Sequence, residues 1–195
     1  AREIVLRIDP VVLTARVEDL LAEQRVEAVM SVADRVSFEV LLASFGQGCE
    51  GEPLTRWKHI AEAIRYMRAH TDRGSININT NASLTHGLAA LFDAGLDAVR
   101  VSLNSAVKDL YEAYYKPQKY GWEDVEASIA LARERNAYLA LNLLLFPGVT
   151  DRRGEVDALK RLIKKYRVDQ VQTPARIGFP RGHDKNGELD RPDDA

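Results

Sequence analysis

The chain has 195 residues, and its 27 Lys and Arg against 29 Asp and Glu leave a formal net charge of −2. That length suits a single domain with a sizeable core, and that charge gives no electrostatic case for nucleic acid or an anionic membrane. No apolar run approaches the roughly 18 residues of a membrane span, and a lone cysteine allows no internal disulfide, which fits a cytoplasmic setting.

In chain order, Ile4–Ile8 reads as a candidate strand. Asp9 and Pro10 then read as the cap and first position of a helix carrying Leu13, Val17, Leu20, Leu21 and Gln24. Val26–Val32 could add a strand, and Val36–Phe45 is a clearer one. The turn Gly46 to Pro53 holds the lone Cys49, three glycines and two carboxylates. A helix with the stripe Trp57, Ile60, Ile64 and Met67 follows. Ser75–Asn81 is the next strand. Ser83 should cap a helix bearing Leu84, Leu88, Leu91 and Phe92, with Gly95 as its stop. Strand Ala98–Asn104 precedes helices marked by Val107, Leu110, Tyr111 and Tyr114, and by Val125, Ile129 and Ala132. After strand Tyr138–Phe146, Asp151 should cap a helix burying Val156, Leu159, Ile163 and Tyr166, before a last strand, Val168–Thr173.

Strands separated by helices argue for βαβ units and a mostly parallel sheet. Both faces of such a sheet ordinarily read apolar. Here one face is repeatedly polar: Asn77, Asn79 and Asn81; Arg100, Ser102 and Asn104; Asn142; Gln170 and Gln172. A barrel with helices outside and a polar lumen explains this, because buried amides without partners cost about 1–3 kcal/mol each. An antiparallel sheet with one solvated face gives the same alternation, but hairpin turn signals are scarce. The expected class is therefore α/β, a partial barrel over residues 1–174, with residues 175–195 as a polar, flexible tail.

Four segments carry a resemblance to a known family. They are Gly51-Glu52-Pro53-Leu54, Asn79-Thr80-Asn81, Leu96 to Ser105, and Phe146 to Asp151 with Glu155. In this order they resemble the radical S-adenosylmethionine enzymes, over roughly residues 36–172, and within them the branch of molybdenum-cofactor biosynthesis and peptide-modifying enzymes. The resemblance implies a partial (βα)6 barrel of TIM-like type. It also implies S-adenosylmethionine as cofactor, with a [4Fe–4S] cluster in complete members, and a substrate, peptide or small molecule, that the residues do not name.

The resemblance further implies roles. The backbone of Gly51 and Glu52, with the Glu52 carboxylate and the following Pro53, would receive the cofactor's amino group. Ser102 and Asn104 would meet the ribose hydroxyls or the methionine carboxylate, and Asn142 the ribose. Asn79 and Asn81 would line the lumen, and Gly148 would let the next turn approach the adenine. The plainer readings stand beside these. Glu52 would simply cap a helix, Ser102 and Asn104 would bond to neighbouring strand ends, and Arg100 would pair with an acidic neighbour. Tyr111, Tyr114, Tyr115, Lys116 and Tyr120 form either a substrate patch or, as favoured, a packed helix end.

One departure is sharp. The family holds its cluster with three cysteine thiolates, usually spaced Cys-x-x-x-Cys-x-x-Cys, and this chain has one cysteine. The expectation is a truncated or degenerate member, inactive in reductive cleavage but able to bind S-adenosylmethionine. A non-catalytic barrel module that binds a partner or serves as scaffold is the alternative. His59, His70, His86 and His183 lack zinc spacing. The glycines from Gly46 to Gly51 mimic a dinucleotide fingerprint, but Glu50 and Glu52 would repel a pyrophosphate.

Overall fold

In the computed structural model, the described residues are 5–7, 11–14, 41–46, 51–144 and 148–173. The strands are β1 (Val5–Arg7), β2 (Val11–Thr14), β3 (Leu41–Phe45), β4 (Ser75–Thr80), β5 (Ala98–Leu103), β6 (Tyr138–Leu143) and β7 (Gln170–Gln172). They form one seven-stranded sheet in sequence order. β1 pairs antiparallel with β2, and every pairing from β2 through β7 is parallel. The helices are α1 (Trp57–His70), α2 (Thr85–Ala94), α3 (Lys108–Tyr115), α4 (Trp122–Glu134) and α5 (Arg153–Tyr166), with a 3-10 turn at Pro53–Arg56. Strand order equal to chain order, with a helix between successive parallel strands from β3 to β7, is the winding of a partial TIM-like barrel.

The register fixes what each face of the sheet carries. Phe45, Ile78, Val99 and Leu139 align across β3 to β6, and Val101 aligns with Leu141. All six are buried, and they form the floor on which the helices lie. α1 adds Ile60, Ile64 and Met67; α2 adds Leu88 and Leu91; α4 adds Val125, Ile129 and Ala132. α1 packs beside α2, α2 beside α4, and α4 beside α5. Each such aliphatic side chain contributes roughly 1.5–3 kcal/mol when fully buried.

A repeated clamp joins helix to strand. Arg68 at the end of α1 donates to the Gly95 carbonyl at 3.1 Å and to the Asp97 carboxylate, which accepts the Ile76 N–H at 2.7 Å. Arg133 at the end of α4 donates to the Ala137 and Arg167 carbonyls and, at 2.9 Å, to Asp169. Asp169 in turn accepts the Leu139 N–H at 2.7 Å. In each copy an aspartate just before one strand holds the N-terminal end of the strand beside it.

Several local expectations are corrected. The helix expected from Asp9 is contradicted where the chain is described, because Val11–Thr14 is a strand. Its two leading valines are β-branched and pair with β3, and proline is as acceptable before a strand as at a helix start. Ser83 does not cap α2; Leu84 stands there without a side-chain cap, and the Ser83 N–H is turned toward Asn81 Oδ1 at 2.9 Å. Asp151 does not cap α5, whose N-cap is Arg152. On α5, Leu159, Ile163 and Tyr166 pack partly buried against the core as expected, while Val156 is 36% exposed. The most buried positions are the adjacent Glu155, Ala158 and Leu162, which gives a carboxylate a buried place. The segments 15–40, Cys49, Phe146, Pro147 and the expected tail lie outside the described residues.

Candidate functional site

The site begins at the C-terminal ends of the strands. Gly46, just past β3, takes φ +76, and a Cβ there would overlap the Asn79 carbonyl oxygen and come within 2.9 Å of Pro53 Cγ. Glycine is what lets this turn lie against β4. Gly51 also takes a left-handed φ of +104, but with open space where a Cβ would be. Pro53 then opens the 3-10 turn, where its missing N–H leaves nothing unpaired.

Glu52 is the N-cap of that turn and does more than cap. Its Oε1 accepts the Leu54 N–H at 2.9 Å and the Thr80 hydroxyl, and its Oε2 accepts the Asn81 N–H at 2.7 Å. A carboxylate offers about four lone-pair positions, so three donors from this chain leave it room for about one more. Its position in the structure is a bridge that ties the turn after β3 to the end of β4.

The lumen face is ordered in rows by the strand register. Ser44 pairs with Asn77 across β3 and β4, and the Asn77 amide donates to Ser44 Oγ at 2.8 Å. One row further along, Asn79, Arg100, Ala140 and Gln170 are in register. One row further again, Ser102, Asn142 and Gln172 are in register. Two residues along a strand is about 7 Å, so these rows are steps toward the mouth. Asn79 Nδ2 reaches the Gly46 carbonyl at 3.5 Å, and Asn81 Oδ1 holds the Ser83 N–H. Ser102 and Asn142 are half-buried and make no side-chain hydrogen bond among the described residues.

Asn104 and Ser105 end the β5 segment. Asn104 is only 6% exposed, yet its Oδ1 has no hydrogen-bond partner. Ser105 Oγ donates to Glu155 Oε2 at 2.7 Å, and the Val107 N–H donates back to Ser105 Oγ at 2.9 Å. Glu155 is 5% exposed, and its Oε1 is left without a partner. Gly148 takes φ +77 with open space at its Cβ direction, and its carbonyl accepts from Arg152 Nε at 2.6 Å.

The nine candidate residues therefore fall into groups. Gly51, Glu52 and Pro53 form the turn at the end of β3, and Asn79 and Asn81 lie on and just after β4, which Glu52 joins to that turn. Ser102 and Asn142 are direct cross-strand neighbours. Asn104 ends the same strand segment as Ser102, and Gly148 lies beyond β6, where its carbonyl accepts from Arg152. Thr80 was named only within the Asn79-Thr80-Asn81 segment, on the face of β4 shared with Ile76 and Ile78; its hydroxyl is what meets Glu52. Glu155 was seen only as part of a motif. The pattern Ser105 with a serine-turn partner at Val107 was the signal that a hydroxyl stood ready for it.

The tyrosine patch is mainly packing. Tyr111 is fully buried, with Tyr115 at 4.7 Å and Trp122 at 5.2 Å between ring centroids. Burial pushes the Tyr111 hydroxyl far above the ordinary phenol range and that of Tyr115 up to about 12. Tyr114 remains exposed.

The resemblance implies two groups, and the residues fit them differently. For S-adenosylmethionine, the turn at Gly51 has open space, Ser102 and Asn142 set a hydroxyl and an amide in register, and the buried Asn104 Oδ1 still lacks a donor. A polar ligand rich in hydroxyl and amine donors fits these residues. For a [4Fe–4S] cluster the donor set does not fit, since the sequence carries one cysteine. Among the described residues, no group of three or more His, Cys, Asp or Glu is placed to hold a metal ion. No helix among them is long and apolar enough to cross a membrane.

Comparison with known proteins agrees with the geometry. The family model described as Radical SAM superfamily matches residues 10–163. A GTP 3',8-cyclase of Listeria monocytogenes is 34% identical over 131 residues, covering 64% of this chain and 38% of that protein. Molybdenum cofactor biosynthesis protein 1 of Drosophila melanogaster is 39% identical over 83 residues, covering 42% of this chain and 14% of that protein. The chain thus spans well under half the length of these relatives. Among solved structures, Streptococcus suis SuiB bound to S-adenosylmethionine aligns with TM-score 0.55 and 12% identity, over 89% of this chain and 37% of that one. A radical SAM methyltransferase from Sphaerobacter thermophilus aligns with TM-score 0.52 and 16% identity, over 80% and 48%. With a family match over most of its length and a partial barrel of that kind, the chain belongs to the radical SAM superfamily.

Proposed function

We propose that this chain is the cofactor-binding barrel portion of a radical SAM protein, and that it binds S-adenosylmethionine at the C-terminal ends of its strands. The observation that carries this is the pairing of a closed structural bridge with open ligand groups. Glu52 commits most of its capacity to Leu54, Thr80 and Asn81, while the buried Asn104 Oδ1 has no partner and the half-buried Ser102 and Asn142 make no side-chain hydrogen bond among the described residues. A buried acceptor such as Asn104 Oδ1 is costly to leave unpaired unless water or a ligand meets it, and the half-exposed Ser102 and Asn142 are open to the same ligand.

Bound there, S-adenosylmethionine would supply a sulfonium that can be cleaved reductively once an electron donor is present. This chain's own residues bind and orient. The turn from Gly51 to Pro53 receives the ammonium, with the one remaining acceptor position of Glu52 assisting. Ser102, Asn104 and Asn142 receive hydroxyl or carboxylate groups. Gly148 keeps the loop after β6 free of a side chain where the base would lie.

The chain alone does not hold the cluster and does not cleave the cofactor. The substrate of the whole protein is a peptide or small molecule. The GTP 3',8-cyclase relative and the peptide-bound SuiB neighbour support those two classes, nucleotide and peptide. Calorimetric titration of the full chain with S-adenosylmethionine tests the binding claim, and saturable one-to-one binding is expected. Anaerobic incubation with iron and sulfide, followed by optical absorption, tests the cluster claim. A stable cluster at one per chain would refute it.

A further inference from the structure

Arg100 is a charge on the lumen face that has no ionic partner among the described residues. It sits in the middle of β5 on the lumen face, half-buried, and its Nε is buried with no hydrogen-bond partner. Among the described residues it makes no ion pair or hydrogen bond of any kind. The expected acidic neighbour is absent from its row. In register beside it are Asn79 on one strand and Ala140 then Gln170 on the other side. The row above holds Ser102, Asn142 and Gln172, again without a carboxylate. An unpaired, partly desolvated charge is expensive to keep, and a structural role would have called for a partner.

The surroundings say what would satisfy it. Guanidinium presents a rigid fork of N–H donors that matches a carboxylate or phosphate in bidentate geometry. The neighbouring amides add further N–H donors, and Ala140 is small enough to leave space beside the fork. Arg100 also lies one row, about 7 Å, below the row of Ser102 and Asn142 that faces the proposed cofactor. A second ligand would occupy that depth.

We propose that Arg100 is the receptor for an oxyanion, carboxylate or phosphate, carried by the substrate that lies beneath the cofactor in this lumen. The inference rests on the reading of the polar face as the ligand side, but it can fail independently of cofactor binding.

The test uses the full chain labelled with ¹⁵N. The Arg100 Nε–Hε resonance is assigned by its loss in Arg100→Gln and followed during titration with inorganic pyrophosphate and, separately, with succinate. At least one probe should shift that resonance saturably, and Arg100→Gln and Arg100→Met should weaken its binding about tenfold or more. Arg100→Lys, which keeps the charge but loses the fork, should lie between. Backbone spectra and melting temperatures show whether each variant is folded; Arg100→Met should melt no lower than the parent.

The titration is then repeated with S-adenosylmethionine in excess. A probe shift that persists identifies a separate substrate anion. A shift produced by S-adenosylmethionine itself, with no further response to either probe, assigns the oxyanion to the cofactor and overturns the proposal. So does an Arg100 resonance that neither probe moves, or equal probe binding by parent and Arg100→Met. Failure of S-adenosylmethionine to bind, with the probe response intact, would instead overturn the proposed function and leave Arg100 as an anion receptor.

Discussion

The Asn81 N–H donates to Glu52 Oε2 across 2.7 Å, so the turn after β3 and the end of β4 are held by one carboxylate. Leu54 N–H and the Thr80 hydroxyl complete the bridge. Removing the acceptor strands part-buried donors, including two backbone groups. Glu52→Ala should therefore lower unfolding stability by about 2–3 kcal/mol, read from urea denaturation midpoints. Thr80→Ser, which keeps the hydroxyl, should cost clearly less than Thr80→Val. Equal losses for the two Thr80 variants would show that the bridge does not depend on that hydroxyl.

Gly46 and Gly51 differ in a way that substitution can resolve. Both have left-handed φ, but only Gly46 lacks room for a Cβ, with the Asn79 carbonyl oxygen in its path. Gly46→Ala should destabilise by more than about 2 kcal/mol, while Gly51→Ala should cost about 1 kcal/mol from backbone strain alone. Thermal melts of the two variants compare them directly.

The second helix-to-strand clamp makes a prediction about acid. Burial opposes ionisation of Asp169, but the Leu139 N–H and the Arg133 guanidinium outweigh it and hold the carboxyl below its ordinary value. A carboxyl whose folded pKa is lowered contributes stability above its unfolded pKa and loses it as pH falls through the folded one. Stability should thus decline below about pH 4, and Asp169→Asn should flatten that decline while lowering stability at pH 7. Denaturation midpoints measured between pH 7 and pH 3 test the sign.

The tyrosines act at the other end of the scale. Burial raises Tyr111 and Tyr115, the latter to about 12, so their protonated forms favour the folded state. That stability is present below the ordinary phenol range near pH 10 and is lost as pH rises toward 12. Tyr111→Phe should lessen the alkaline loss. At pH 7 it should be neutral or stabilising by up to about 1 kcal/mol, because the Tyr111 hydroxyl is buried without a partner.

Much of the barrel was legible in the sequence, for a physical reason. Strands β4 to β6 bury one face under helices and turn the other to a lumen, so period-two alternation survives in Ser75–Thr80, Ala98–Leu103 and Tyr138–Leu143, whereas Val171 of β7 is exposed. Near the start, Pro10 and Leu13 read as the opening of a helix, and pairing with β3 shows Val11–Thr14 to be a strand; Val17 and Leu20 lie outside the described residues. The site was legible as residue types but not as bonds. Nothing local to Thr80 announces that it serves Glu52, 28 positions away, and nothing local to Arg100 shows that its row lacks a carboxylate. On α5 the stripe Leu159, Ile163 and Tyr166 was legible, but the burial of Glu155 was not, because its partner Ser105 lies at a distant strand end.

The central claim is that the in-register pair Ser102 and Asn142, with Asn104, forms part of a seat for S-adenosylmethionine. Equilibrium dialysis of the full chain against labelled S-adenosylmethionine, with the parent beside Ser102→Val/Asn142→Leu and Asn104→Ala, tests it most directly. The account predicts saturable binding by the parent and at least about tenfold weaker binding by each folded variant. No binding by the parent, or equal binding by all three, would contradict it.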